Sequence, residues 1–478
     1  MLPPATETKT QGWRNLGQSQ VKFINLTRAN EIGANSYLLD FGTDGCLLLD
    51  AGMHPRLEGE EATPNLKLLA GYPLQAVLLS HAHHDHIGAL PLVLRLQPEA
   101  KVFATEATAH IAEALLHNSV EVMLKQRAAR NITSYPLYTH REVDQCLQRF
   151  EICQPGKEWS LDGLPHPRQE SLTFRYHPAG HVLGAVGIEI HHRGRSIFYT
   201  GDVSFQDQTL MPQASFPTRA MDVLIVETTR GSQTMPNGAT RESELERLAV
   251  SIEATFARGG SVLIPVFALG KTQELLAALY FLRKEQRIRR CPIVISGLGK
   301  SLSSIYDRLA RRSFRLHPGL RLLADIEPQI MDPRKPVEFP PKNRPKIYLI
   351  SSGMLTENTP SYLVARRLLA REEHSIYFVG YTDPDSPAGR LLATPRGSSV
   401  VLHEEAGEEP VLCEVNRFDL TAHAQREDLL HFILCCRPRI CVLVHGDPPS
   451  LEWFAHQLGT LCPGMKVVIP PPGEPVEL

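Results

Sequence analysis

The scarcities of this chain come first, because each one removes a class of protein. Its nine cysteines include no C-x-x-C pair, which excludes zinc-finger ligation and argues against a disulfide framework. A formal net charge of −2 over 478 residues gives no global positive field, so a nucleic-acid partner would have to be held locally. No apolar run reaches the length of a membrane span, and no repeat or low-complexity block suggests a solenoid or a flexible tail. The first twenty residues are polar, so a loose arm or a first edge is expected there, and with no secretory leader read in them, free thiols in a reducing cytoplasm are the expectation. Gly270-Lys271-Thr272 and Gly299-Lys300-Ser301 resemble the ends of phosphate loops, but Pro265 and Val294 stand where the motif needs its first glycine. A nucleotide-triphosphate site is therefore not expected there.

What is present is a soluble composition, 42% hydrophobic and 21% charged, with length enough for two or three cores. The densest chemistry is Ser80-His81-Ala82-His83-His84-Asp85-His86, directly after the apolar run Ala76-Val77-Leu78-Leu79. Neutral imidazoles and a carboxylate are ligands for Zn²⁺ or a similar cation, and H-x-H-x-D-H offers two ligand pairs for two adjacent ions.

Strand after strand then stops at a polar residue of the same kind. Cys46-Leu47-Leu48-Leu49 ends at Asp50, Thr173–His177 runs to Gly180-His181, and Ile197–Thr200 runs to Gly201-Asp202. Val223–Val226 ends at Glu227, and Ile440–Val444 lands on His445. Strand ends on one rim are where layered α/β folds build sites. Glu106–Leu116 reads as a helix followed by a long polar connection, with Thr139 and Glu142 forming a capping box. From Arg241 the pattern changes to alternating helices and buried strands, which predicts a separate parallel sheet, and 316–345 reads as an exposed Pro- and Arg-rich loop. Basic residues at Arg283-Lys284, Arg287, Arg289-Arg290, Arg311-Arg312, Arg315 and Arg321 form either a solvated face or a stripe that tracks phosphates.

HAHHDH, PAGH, YTGD and a late strand-His, in that order, resemble the metallo-β-lactamase fold. Further stretches are similar to the β-CASP group of RNA-processing nucleases, the kind typified by cleavage and polyadenylation specificity factors, over almost the full length. These are Ile225–Thr229, Gly260–Leu275, Ser351–Leu355, Val379–Tyr381, Thr421–Ala424 and Val444–Gly446. The resemblance implies an αββα sandwich, 1–220 and 406–478, interrupted by a β-CASP α/β domain at 221–405.

It also implies two zinc ions per chain. His81, His83 and His181 would hold one, Asp85, His86 and His445 the other, with Asp202 bridging and Asp50 orienting a ligand histidine. Asp85, Glu227 and His423 would take part in catalysis, and Ser352, Gly353 and Lys271 would meet substrate. The implied activity is hydrolysis of RNA phosphodiesters by hydroxide generated between the two cations. Single-stranded RNA would lie between the domains, and a homodimer is compatible with the group. His445 favours RNA, because DNA-directed members carry Val at that signature.

Three departures stand out. Thr229-Arg230-Gly231-Ser232 replaces Thr-Tyr-Gly-Asp, Thr421 and Gln425 replace the first and last residues of the second signature, Ser-Ala-His-Ala-Asp, and no glycine pair follows Ser351–Leu355. None removes a metal ligand, so they bear on substrate preference and rate. Two rival readings are a thioester or lactone hydrolase on the same core, and a non-catalytic scaffold of an RNA-processing complex. The size of the insert argues against the first, and the intact ligand set against the second.

Overall fold

A computed structural model of the chain describes residues 21–165, 172–234, 238–332, 335, 344–403 and 407–478. The polar first twenty residues lie outside the described residues. Two seven-stranded sheets form the main body. In the first, strands Lys22–Asn25, Tyr37–Asp40 and Cys46–Leu49 form an antiparallel meander, and Leu74–Leu78, Lys101–Ala104 and Phe150–Ile152 continue it in parallel. The second is built on Leu172–Pro178, Val186–His192 and Arg195–Tyr199, with Val223–Glu227 and Ile440–Val444 added in parallel.

The sheets face each other through an apolar layer that alternation along each strand dictates. Phe23, Tyr37, Leu39, Leu49 and Phe103 come from one side and Phe174, Tyr176, Ile188 and Tyr199 from the other, all at most 1% exposed. Helices Glu106–Arg130, Arg426–Cys436 and Pro448–Leu461 cover the outer faces. The result is the αββα sandwich.

The insert has its own parallel sheet of six strands, ordered Gln329–Ile330, Ile293–Ile295, Ile347–Ile350, Val262–Pro265, Ser375–Val379, Glu414–Phe418. Val223–Glu227 thus belongs to the core sheet and Glu414–Phe418 to the insert sheet.

Some local readings shift. The helix expected over Glu106–Leu116 runs on to Arg130, because Ile111, Leu116, Val120 and Met123 sustain a buried stripe against the core. The expected connection after it also holds a second helix, His140–Leu147, opened by the Thr139–Glu142 capping box. The 316–345 segment is not wholly exposed: Leu320, Leu322 and Ile326 are buried, while much of its Pro-rich part lies outside the described residues. The arginines of the supposed stripe are largely engaged in protein contacts. Arg287 pairs with Glu246, Arg289 with Glu253 at 2.9 Å and Arg312 with Glu106 at 3.5 Å, while buried Arg315 donates to the carbonyls of Tyr306 and Leu320.

Candidate metal centre

Strand Leu74–Leu78 ends just before Ser80, and the short helix His84–Ile87 turns the chain so that His81, His83, Asp85 and His86 converge. His181 arrives on a turn where Gly180 has φ +74°, with no room for a side chain beside the backbone of Ser204, Pro212 and Ala214. Asp202 follows strand Arg195–Tyr199, and His445 follows Ile440–Val444 in the left-handed region at φ +50°. Gly52 is required nearby, since a Cβ there would fall 1.7 Å from the Asp85 carbonyl oxygen.

The result is two adjoining groups. His81, His83, His181 and Asp202 form one and Asp85, His86 and His445 the other, with candidate ligand atoms within 4.8 Å inside each group. In the first, His83 Nδ1 lies 3.0 Å from His81 Nε2 and 3.1 Å from His181 Nε2, and Asp202 Oδ2 is 3.5 Å from each of those Nε2 atoms. Asp202 Oδ1 faces the second group, 3.4 Å from His86 Nε2 and 3.1 Å from His445 Nδ1. His445 Nε2 is 3.4 Å from Asp85 Oδ2.

These distances, together with the polar groups behind them, test whether a divalent cation fits. His181 Nδ1 donates to the Ala422 carbonyl at 2.9 Å and His86 Nδ1 to Asp50 Oδ2 at 2.7 Å, which turns each Nε2 toward the cluster, with Asn35 Nδ2 3.2 Å from that of His86. Burial holds His81, His83 and His181 below the ordinary imidazole value, and neighbouring histidines push His81 and His181 further the same way. Burial opposes charge on His86 and His445 too, but Asp202 and the other carboxylates outweigh it and raise both, His445 to about 10. Asp202 Oδ1 is buried without a hydrogen bond. His81, His83 and His181 are thus held neutral as ligands, while the carboxylates favour positive charge beside His86 and His445, which bound cations would supply.

Asp50, fully buried at φ +58°, accepts from Ser80 N, Ser80 Oγ, Tyr199 OH and His86 Nδ1 at 2.7–2.8 Å. It therefore stands behind His86. His423 lies across the cluster, with Nε2 3.9 Å from Asp202 Oδ2 and Nδ1 3.2 Å from both oxygens of Glu227. Glu227 is 2% exposed and also accepts from Val203 N at 2.8 Å and from Thr229 Oγ1. It positions His423, and with Asp202 and His423 it forms a third group whose candidate ligand atoms lie within 4.8 Å of one another.

The expected substrate contacts are placed differently. The Lys271 amine donates to the Leu420 carbonyl, and burial followed by the nearby Arg241 guanidinium pulls its pKa down to about 7. It ties the insert to the returning chain and is a poor phosphate clamp. Ser352 Oγ accepts from Met354 N and Thr356 N, 3.2 and 3.3 Å away, and so shapes its own loop. Gly353 packs against the backbone at Phe267. None of the three joins the metal groups.

Sequence reasoning missed one pair. Arg230, a departure from the usual signature, is 4% exposed and forms a two-pronged ion pair with Asp419 at 2.6 and 3.1 Å. It joins the Glu227 loop to the His423 loop. The only signal was that both signatures deviate near these positions.

A sandwich with paired His/carboxylate groups at its strand ends is the architecture of a metal-dependent hydrolase. Three family descriptions match in succession: Metallo-beta-lactamase superfamily over residues 29–251, Beta-Casp domain over 272–391, and Zn-dependent metallo-hydrolase RNA specificity domain over 408–470. The chain belongs to the metallo-beta-lactamase superfamily, in the branch that carries the Beta-Casp domain.

Among similar proteins, Endoribonuclease YSH1 of Candida glabrata is 28% identical over 443 residues, covering 90% of this chain and 55% of that protein. Ribonuclease TTHA0252 of Thermus thermophilus is 28% identical over 449 residues, covering 90% and 94%. Cleavage and polyadenylation specificity factor 73 of Drosophila melanogaster is 27% identical over 440 residues, covering 89% and 60%. The chain thus spans about half the length of the YSH1 relatives it matches. A crystal structure of a protein of unknown function from Enterococcus faecalis V583 shares the fold, with a TM-score of 0.54, 15% identity and coverage of 96% and 100%.

Proposed function

We propose that the chain is a two-zinc ribonuclease that hydrolyses single-stranded RNA in the cleft between sandwich and insert. The carrying observation is the seven-residue ligand cluster on the sandwich rim, with His423 facing it from the chain segment that returns from the insert. Two zinc ions in these groups would lower the pKa of a shared water toward neutrality and neutralise charge on a phosphodiester.

The chain's own residues do the rest. His81, His83, His181, Asp85, His86, His445 and Asp202 bind and space the cations. Asp50 and the Ala422 carbonyl lock the His86 and His181 tautomers. Glu227 fixes His423 so that Nε2 is presented to the cleft, where it can hydrogen-bond a phosphate oxygen or hand a proton to the leaving oxygen. The matched RNA specificity domain and the ribonuclease names of the relatives support RNA as substrate.

The test is incubation of zinc-loaded protein with end-labelled single-stranded RNA and matched DNA, alongside His83→Ala. Cleavage of RNA by the wild type, lost in the variant, is expected. Intact RNA at full zinc occupancy, or equal cleavage by the variant, overturns the reading. Faster turnover of a thioester or lactone than of RNA would instead favour a small-molecule hydrolase.

A further inference from the structure

Strand register decides what stands beside His445. Val223–Glu227 and Ile440–Val444 run parallel with Glu227 opposite Val444, so the residues that follow the two strands lie side by side. Thr228 N donates to the His445 carbonyl at 3.2 Å, and the Thr228 hydroxyl to the Val444 carbonyl at 3.0 Å. One residue further on, the hydroxyl of buried Thr229 sits 3.0 Å from His445 Nδ1. The same hydroxyl meets Glu227, the carboxylate that also receives Val203 N and His423 Nδ1. A single oxygen thus stands between the group that holds His423 and a candidate metal ligand.

A hydroxyl has one proton to give, and a carboxylate can only accept it. The Glu227 oxygen is the nearer acceptor, the His445 carbonyl being 3.3 Å away, so the Thr229 proton goes to Glu227. Toward the ring the Thr229 oxygen then accepts, and His445 Nδ1 carries the hydrogen. Asp202 Oδ1 is as close to Nδ1, at 3.1 Å, but makes no hydrogen bond. The lone pair of His445 is left on Nε2, which lies 3.4 Å from Asp85 Oδ2 in the second ligand group. Asp50 does this for His86 and the Ala422 carbonyl for His181.

We propose that Thr229 is a positioning residue that sets the tautomer of His445, so that Nε2 is offered to the second cation, with Glu227 fixing the direction of the hydroxyl. This rests on the metal half of the two-zinc ribonuclease reading and deepens it. One carboxylate then orients His423 directly and a metal ligand through one hydroxyl. A buried threonine after a strand can also serve by packing alone, and its methyl and hydroxyl separate the two roles.

Thr229→Val keeps the methyl and removes the hydroxyl, whereas Thr229→Ser does the reverse. Zinc affinity of each full-length protein is read by competition with a chromophoric chelator, without RNA. Thr229→Val should weaken one of the two zinc ions about tenfold or more, the usual cost of losing such a partner, and Thr229→Ser should stay near wild type. Glu227→Gln should weaken the same ion. Val203 N keeps the amide oxygen, which turns the NH₂ toward Thr229 and drives the hydroxyl proton toward the ring. Nitrogen NMR of zinc-loaded wild type with ¹⁵N-labelled histidine, His445 being assigned with His445→Asn, should show Nδ1 protonated and Nε2 bound to metal.

Ligation of wild-type His445 through Nδ1 overturns the proposal, whether or not the variants fold. Affinity within about twofold of wild type in Thr229→Val or in Glu227→Gln overturns it too. A loss in Thr229→Ser as large as in Thr229→Val would make the role packing and has the same effect. Two bound zinc ions with the expected tautomer but intact RNA would strike the ribonuclease reading and support the role of Thr229. A wild-type protein that binds no zinc overturns both.

Discussion

Replacing Asp50 by Asn isolates what the group behind the ligands contributes. The change conserves volume and leaves all seven ligands in place. Asn Oδ1 can still accept from Ser80 N, but its NH₂ would face the donors that now converge on Oδ2: Ser80 Oγ, Tyr199 OH and His86 Nδ1, at 2.7, 2.8 and 2.7 Å. The two hydroxyls can rotate and become acceptors. His86 can accept only by moving its proton to Nε2, which removes the lone pair that faces the cluster.

A hydrogen bond to a charged group contributes about 1.5–3 kcal/mol, so a site with two adaptable partners and one that cannot adapt should lose about 2–4 kcal/mol of stability. Metal affinity should fall about 10–100-fold, the usual cost of losing such an orienting partner. Competition with a chromophoric chelator measures the affinity, and denaturant unfolding of the metal-free protein measures stability. A folded Asp50→Asn protein whose affinity stays within a factor of about two of wild type would refute the tautomer argument.

Three further outcomes follow from the same geometry. Arg230→Met strands the half-buried Asp419 carboxylate and should cost about 2–4 kcal/mol, while Arg230→Met with Asp419→Leu recovers most of it; a double-mutant cycle by denaturation that finds the two changes additive would contradict the pairing. His423→Asn should keep full zinc content and lower kcat by about 100-fold or more, and an unchanged kcat would remove His423 from the chemistry. The third outcome concerns acid stability. Burial alone would raise Glu189, but His177, His191 and Arg219 hold it below the usual carboxylate range. Its contribution is therefore full above its unfolded pKa and is lost as pH falls through the depressed folded value. Glu189→Gln should cost about 1–2 kcal/mol at about pH 6, between the ranges for exposed and buried pairs because Arg219 and His191 reach solvent. The gap should narrow steadily below about pH 4, and thermal melts that show a pH-independent gap would exclude the ion pairs as its cause.

The amino-acid sequence by itself determined the candidate ligands, because their geometry is mostly local. Four of them fall within six residues at a strand end, where a strand followed by one helical turn can bring them together with little help. The remaining three each follow a buried strand, so alternation and apolar runs were enough to place them on one rim. Asp50 was legible for the same reason.

Tertiary structure decided what depends on atoms meeting across long stretches of chain. Arg230 and Asp419 are separated by 189 positions, and no spacing rule links them. Lys271 reads as a free cation in the sequence but is desolvated against Leu420 in the fold. Arg283, Arg287, Arg289 and Arg315 of the basic run prove to be matched by acids or carbonyls of their own domain, so a linear count of charge overstated the field available to a phosphate. The long helix Glu106–Arg130 was cut short in the sequence reading because its polar second half forms a helix only by packing on the core. Residue types and local order reveal which groups can bind a metal. Which other groups remain unpaired for a substrate depends on the packing of distant segments.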